Sequence, residues 1–136
     1  MVDSMSSFKE SIYQKRGFIY QIGESYYAMG ANIFAPVTDS AEIDNIELLQ
    51  NALQKNNERQ ISKYLDKIIR IANTYRVDAK EHYKQQEKLF AFLDELEKTK
   101  EEEYLCLQKQ FAQFEELFDR YSQYGRDNQV TGTSHN

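Results

Sequence analysis

Pro36 is the only proline in this 136-residue chain, which also contains only five glycines. Folds with many turns, such as sandwiches, barrels and multi-loop α/β enzymes, need these residues where the chain reverses. Their scarcity favours long helices with few connections. The length fits one domain, and a hydrophobic fraction of 40% is too high for a wholly disordered chain. We therefore expect an all-α protein: a helical hairpin or bundle with coiled-coil character, with an elongated shape as a further option.

Apolar residues recur at steps of three and four in the N-terminal segment, which is the spacing of one helix face. The members of this stripe are Phe8, Ile12, Ile19, Ile22, Tyr26, Met29 and Ile33. The pattern predicts a first helix over about residues 7–33, after a flexible N-terminus at residues 1–6. We expect this helix to end before Pro36, because the residue preceding a proline is pushed out of helical geometry.

Three further helices are predicted after the proline. Asp39 and Glu42 have the spacing of a capping box, which predicts a second helix over about residues 40–55. Apolar stripes predict helices over about residues 59–97 and 100–124, although one long helix through 59–124 also fits the pattern. Because such a long helix would bury its stripe against another chain, we expect a homo-oligomer. Residues 7–125 are assigned to a single helical domain, and residues 126–136 to a disordered polar tail.

The distribution of charge predicts which segments face each other. The formal net charge of -5 argues against direct binding of nucleic acid, which needs a dominant basic face. Residues 55–88 are net basic, whereas the segments on either side are net acidic. Opposite charges can pair if the chain folds back or associates with a second copy, and solvated helix faces are the simpler interpretation. The candidates for this pairing are Lys80, Lys84, Lys88, Glu101, Glu102 and Glu103.

The cellular location is predicted from features that the sequence lacks. Cys106 is the only cysteine, which excludes an intramolecular disulfide and a cysteine-based zinc cluster. The first nine residues lack the apolar core of a signal peptide, and no stretch approaches the roughly 18 apolar residues of a membrane span. We therefore expect a soluble cytoplasmic protein without a membrane span.

Tyrosines and glycines lie at seven-residue spacings within the predicted first helix. They are Tyr13, Tyr20, Gly23, Tyr27 and Gly30. Tyrosines supply apolar area with a polar tip, and glycines on a helix face let another backbone approach closely. The pattern predicts an aromatic-rich helix face that docks a partner helix or peptide. Packing within the chain's own bundle is the alternative interpretation.

Asp78 and His82 lie one helical turn apart in a polar gap of the central stripe, so that the carboxylate can orient the imidazole. This pair is the candidate for a metal-binding or pH-sensitive site. A metal site needs at least three ligands, however, and a polar layer that fixes helix register is the simpler interpretation. The sequence therefore predicts no metal and no cofactor.

The function predicted from these patterns is protein binding. The sequence contains no phosphate-binding glycine loop, nucleophile elbow or paired-histidine motif. We expect a non-enzymatic protein–protein interaction module: a helical adaptor, scaffold or regulatory subunit whose partner is another protein, basic proteins included. Two alternatives stay open. One is a small acidic inhibitor or immunity-type protein that blocks an enzyme or a nucleic-acid-binding protein, and the other is a helical metal protein or enzyme centred on Asp78 and His82.

Overall fold

The computed structural model describes the backbone of residues 2–121 and the side chains from Phe8 to Tyr121. In these residues a three-stranded antiparallel sheet lies among helices, so the protein is mixed α/β and the all-α prediction is wrong. The elements in chain order are α1 (Val2–Gln14), β1 (Phe18–Ile22), β2 (Ser25–Gly30), β3 (Ile33–Val37), α2 (Ser40–Gln54), α3 (Glu58–Asn73), α4 (His82–Thr99) and α5 (Glu101–Tyr121). A short 3-10 turn at Ala79–Glu81 leads into α4.

The predicted first helix over residues 7–33 is wrong, because α1 ends at Gln14 and the following segment forms the sheet. Helix α1 also begins at Val2, inside the segment predicted as a flexible N-terminus. Phe18 and Ile19 point to opposite faces of β1, and both are buried. A strand buried on both faces loses the apolar–polar alternation that identifies strands. Its apolar residues therefore also match the three- and four-residue spacing of a helix face, although they lie in a strand.

Tight turns connect the strands. Ile22 pairs with Ser25 across the first turn, in which Gly23 has a φ of +61°. Glycine at the first central position of a two-residue turn is the requirement of type II′ geometry, which matches the twist of the two strands. Gly23 therefore lies in a hairpin turn, not on a helix face.

The second turn also holds the end of α1. Ala31 and Asn32 both have positive φ, 55° and 67°, as a type I′ turn requires. The N–H of Ala31 donates to the carbonyl of Lys15 at 2.5 Å, and the N–H of Asn32 donates to the carbonyl of Tyr13 at 3.4 Å. Carbonyls at the end of a helix lack partners within the helix. The N–H groups of the turn donate hydrogen bonds to these carbonyls and so attach α1 to the sheet.

Aromatic side chains join the sheet to the last two helices. Phe18 and Phe34 share one face, since each is paired with the same residue of β2. The ring centroid of Phe18 lies 4.5 Å from that of Phe114 and 5.0 Å from that of Phe118, both in α5. The ring of Phe34 lies 5.2 Å from that of Phe92 in α4. This face of the sheet is therefore covered by the α4–α5 pair.

The capping pattern at residue 39 is half formed. Helix α2 begins directly after Asp39, whose carboxylate accepts a hydrogen bond from the N–H of Ala41 at 2.9 Å. A capping box would turn Glu42 back toward Asp39. In the structure the carboxylate of Glu42 instead accepts a hydrogen bond from the hydroxyl of Tyr75, just beyond α3. This bond joins the start of α2 to the end of α3.

Residues 59–121 form three helices, so neither one long helix nor a helix over 59–97 is correct. The break between α3 and α4 contains part of the polar gap, and α4 is separated from α5 by Lys100 alone. Because α4 and α5 pack against each other, burial of their stripe does not require a second chain. The predicted helix end near residue 124 and the predicted tail at 126–136 lie outside the described residues.

We expect Gly30→Ala to lower the free energy of unfolding by about 2–4 kcal/mol, and Gly23→Ala by only about 1 kcal/mol. Both glycines have positive φ, but a Cβ at Gly30 would lie 2.4 Å from the backbone oxygen of Arg16. At Gly23 the nearest atoms, at 3.2 Å, belong to the flexible side chain of Glu103. Urea unfolding measures both. In a helix the same changes would stabilise by about 0.5–1 kcal/mol, so a gain in stability would contradict the sheet.

A second prediction concerns the bond between Tyr75 and Glu42. It raises the pKa of Tyr75 from 10.0 to about 12, with burial as a further cause. Because the folded pKa exceeds the unfolded pKa, the stabilisation is complete below pH 10 and is lost as the pH rises toward 12. We expect Tyr75→Phe to lower the free energy of unfolding at neutral pH by about 1–2 kcal/mol, a deficit that shrinks above pH 10. Guanidinium unfolding of both proteins measures this difference, and a deficit independent of pH would count against the bond.

Candidate functional site

The residues of the predicted docking face do not lie on one helix but in α1, β1, β2 and a turn: Tyr13, Tyr20, Gly23, Tyr27 and Gly30. Of these, Tyr20 and Tyr27 are paired across β1 and β2 and share one face of the sheet. Tyr13 and Tyr20 are buried, with 2% and 1% of their surface exposed. The Tyr13 hydroxyl donates to the backbone carbonyl of His82 at 2.9 Å. Burial also raises the pKa of the Tyr20 phenol. Both tyrosines therefore pack in the protein's own core.

The structure does not bring the predicted charge partners together. Helices α4 and α5 meet at Lys100, so Glu101 lies beside the C-terminal end of α4. Lys84 lies near the opposite end, roughly 25 Å away along the helix. The exposed members of the predicted set are Lys80, Lys84, Lys88, Glu101 and Glu102. The sixth member, Glu103, lies against Gly23 at the first hairpin turn.

Other residues make the ion pairs that join α1 to α4. The Lys9 ammonium donates to the carboxylates of Asp94 and, at 3.1 Å, Glu97, and only 14% of the Lys9 side chain is exposed. Burial lowers the pKa of Lys9, but the two hydrogen bonds and the nearby Tyr104 together raise it above its ordinary value of 10.5. Lys9 therefore stays charged and holds the two helices together. Sequence reasoning missed this contact because its partners are 85 and 88 residues apart.

Asp78 and His82 flank the 3-10 turn before α4. Asp78 is exposed, and its side chain makes no capping hydrogen bond. The His82 ring packs edge-on against Tyr83, with centroids 4.2 Å apart, and its Nε2 is buried without a hydrogen-bond partner. Among residues with described side chains, no three histidine, cysteine, aspartate or glutamate residues form a group that could hold a metal ion.

A groove with a volume of about 270 Å³ lies between α2 and α5, next to the edge of β1. Its lining residues are Gln21, Ile46, Leu49, Gln50, Leu53, Gln110, Gln113 and Phe114. Half of them are glutamines and the other half are apolar, so the lining carries no charged side chain. Apolar surface with a few placed hydrogen-bonding groups is the usual composition of a site for a neutral ligand.

The backbone of β1 is the most informative feature of this groove. β1 is an edge strand, because the sheet order is β1–β2–β3. Ile22 and Ser25 close a two-residue hairpin and form a hydrogen-bonded pair, so by alternation the N–H and C=O of Gln21 point away from β2. A free edge of this kind is a template for another strand.

Gln110 of α5 occupies this edge. Its Oε1 accepts from the N–H of Gln21 at 3.0 Å, and its Nε2 donates to the C=O of Gln21 at 2.5 Å. A carboxamide offers one acceptor and a donor on the same side, as the C=O and N–H of one residue in an antiparallel strand do. Gln110 therefore takes the place of a residue in a neighbouring strand. Nothing in the sequence indicates this contact, since its partners are 89 residues apart.

Comparisons with protein-family models, with curated proteins and with solved structures find no match to this chain. Within the described residues, no helix combines the length and the apolar character needed to cross a membrane. The geometry of the groove is therefore the basis for inferring a function.

We expect Gln110→Glu to lower the free energy of unfolding by about 1–3 kcal/mol at neutral pH. The carboxylate can still accept from Gln21 N–H, but it places a second acceptor against the Gln21 carbonyl. The folded state then favours the protonated carboxyl, so stability recovers as the pH falls to about 4. Urea unfolding at several pH values measures the effect.

Gln113→Glu is the matched control, because Gln113 is exposed in the same groove and the new charge is the same. We expect its effect to stay within about 0.5 kcal/mol. Equal losses of stability in the two variants would show that the bond from Gln110 to β1 is unimportant.

Proposed function

We propose that this protein is a non-enzymatic protein-interaction module that binds a partner protein in the groove between α2 and α5. The observation that carries the proposal is the backbone of Gln21, whose outward groups are held by the side chain of Gln110 rather than by a strand. A side chain can leave such a position by rotating, whereas a paired strand cannot. The site therefore offers a partner two exchangeable hydrogen bonds beside apolar surface.

The lining of the groove supports a protein as the partner. Leu49 and Phe114 are buried at 1% and 8% exposure and form the apolar base of the groove. Leu53 is half-buried and gives the groove accessible apolar surface. Gln50 and Gln113 are exposed and supply further donors and acceptors. This combination matches a polypeptide, which offers apolar side chains and neutral amide groups together.

Charge beside the groove supports a partner with basic residues next to a neutral segment. Glu47 is exposed on α2, one helical turn before Gln50, and Glu102 is exposed at the start of α5, roughly 12 Å along the helix from Gln110. Cationic groups on the partner would be attracted to them, with an effect mainly on the association rate. An inhibitor of a basic enzyme is one form that such a module can take.

We further propose a cytoplasmic location, which is supported by the free and exposed thiol of Cys106. Self-association stays a prediction. Cell fractionation tests the location, and light scattering tests the oligomeric state.

The groove is tested by a photo-crosslinking residue placed at Gln50, on the α2 side, in cells of the native host. We expect a discrete adduct with one partner, and no such adduct from the same residue at Lys67, which is exposed on α3. We also expect Gln50→Arg to reduce recovery of that partner about tenfold, the equivalent of 1.4 kcal/mol. The variant Gln60→Arg, which adds the same charge at an exposed position of α3, is the control for surface charge, and circular dichroism verifies that all variants fold. Equal adducts at both positions, or equal recovery by both variants, would reject the groove as the binding site.

A further inference from the structure

We infer that the partner contributes an extended, uncharged peptide segment whose backbone pairs with Gln21 of β1, and that the side chain of Gln110 is a latch which this segment displaces. The inference rests on the proposed function and specifies its mode of binding. The occupant is identified by its chemistry as a neutral stretch of polypeptide in strand conformation.

The two hydrogen bonds at Gln21 indicate that occupant. The Gln110 carboxamide presents an acceptor to the Gln21 N–H and a donor to the Gln21 C=O, at 3.0 and 2.5 Å. In a β-ladder, a residue of the neighbouring strand presents its C=O and N–H to the same two groups. A peptide can therefore replace Gln110 bond for bond, and the backbone of Gln21 is never left unsatisfied in the groove.

The edge available for pairing is short. By the alternation of the strand, the next outward groups of β1 belong to Ile19, which is only 1% exposed. The segment therefore pairs at Gln21 and does not continue along β1 toward Ile19. Beyond that pair it follows the groove between α2 and α5, where hydrogen bonds to Gln50 and Gln113 are available.

The side chains of the groove select a neutral segment. In a strand, successive side chains point to opposite sides, so the residues that flank the paired one direct their side chains toward the same wall. Leu53, which is half-buried, and Phe114 offer apolar contacts there, and the lining contains no charge that could pair with a buried lysine or glutamate. Basic residues of the partner belong outside the groove.

The latch has a consequence that distinguishes it from an ordinary edge cap. While Gln110 holds Gln21, only the fraction of molecules with the side chain rotated away can bind a strand. Removing the carboxamide with Gln110→Ala raises that fraction. The variant is therefore less stable than the wild type and yet binds the peptide more tightly. A glutamine that itself contacts the partner would give the opposite change in affinity.

The test uses a phage-displayed library of seven-residue peptides without charged residues, selected on the full chain and on Gln110→Ala. The tightest peptide is then synthesised, and its affinity is measured by calorimetry for the wild type, Gln110→Ala and the control Gln113→Ala. We expect affinity about tenfold higher for Gln110→Ala than for the wild type, and lower affinity for Gln113→Ala, because the Gln113 carboxamide contacts the peptide directly. In nuclear magnetic resonance spectra of the wild type, binding should release the Gln110 side-chain amide and keep the Gln21 N–H protected from exchange.

A second measurement needs no protein variant, so it applies even if Gln110→Ala does not fold. N-methylation of each peptide amide in turn should weaken binding at least about tenfold at one position, the amide that donates to the Gln21 carbonyl. Uniform tolerance of N-methylation, or a Gln110 amide that stays bonded when the peptide is bound, would overturn the inference.

The library and the crosslinking experiment together separate the two proposals. An adduct at Gln50 with no selected peptide, or with peptides that leave the Gln110–Gln21 bond intact, rejects strand pairing and retains the groove as a binding site. Equal adducts at Gln50 and Lys67 reject the proposed function itself.

Discussion

The close contact between Gly30 and the end of α1 is the constraint on which the rest of the fold depends. A Cβ at this position would lie 2.4 Å from the Arg16 oxygen, so only glycine lets the chain pass. The contact places the second hairpin turn where its amides can bond the carbonyls of Tyr13 and Lys15. Since the helix end and the turn satisfy each other, the sheet is held directly beside α1 and the later helices pack around it.

The position of the sheet in turn creates the candidate site. Phe18 draws α5 against β1 through Phe114 and Phe118, and this placement brings Gln110 to the outward backbone of Gln21. The same packing leaves α2 as the opposite wall of a groove. The accessible hydrogen-bonding groups of Gln21 beside apolar surface thus follow from core packing. No residue type in the sequence identifies this site before the fold is known. The outward N–H and C=O of Gln21 can bond either the side chain of Gln110, which protects the strand edge, or the backbone of a partner segment, which binds it.

The start of α2 is predictable from the sequence, because local chemistry decides the structure there. Asp39 starts α2, since an aspartate before a helical stripe can accept a hydrogen bond from the first turn whatever the surroundings. Residues 18–37 are not predictable in the same way, because the sequence does not distinguish glycines with positive φ in turns from small residues on a helix face. The seven-residue spacing of the tyrosines in that segment likewise predicts a docking surface, whereas Tyr20 lies in the core. Burial of β1 on both faces removed the alternation that would have revealed a strand.

The sequence by itself determined that the described residues beyond Pro36 are mainly helical and that α2 begins after Asp39, because helical spacing of apolar residues and local caps act within a few residues of the chain. Only the tertiary structure decided that residues 18–37 form a sheet, that residues 59–121 divide into three helices, and that Gln110 bonds Gln21. The physical reason is the same in each case. A strand needs neighbouring strands to satisfy its backbone hydrogen bonds. A long apolar stripe is divided into separate helices when these helices can bury it against each other within the chain. The Gln110 carboxamide reaches Gln21, 89 residues away in the sequence, because the fold brings the two residues together.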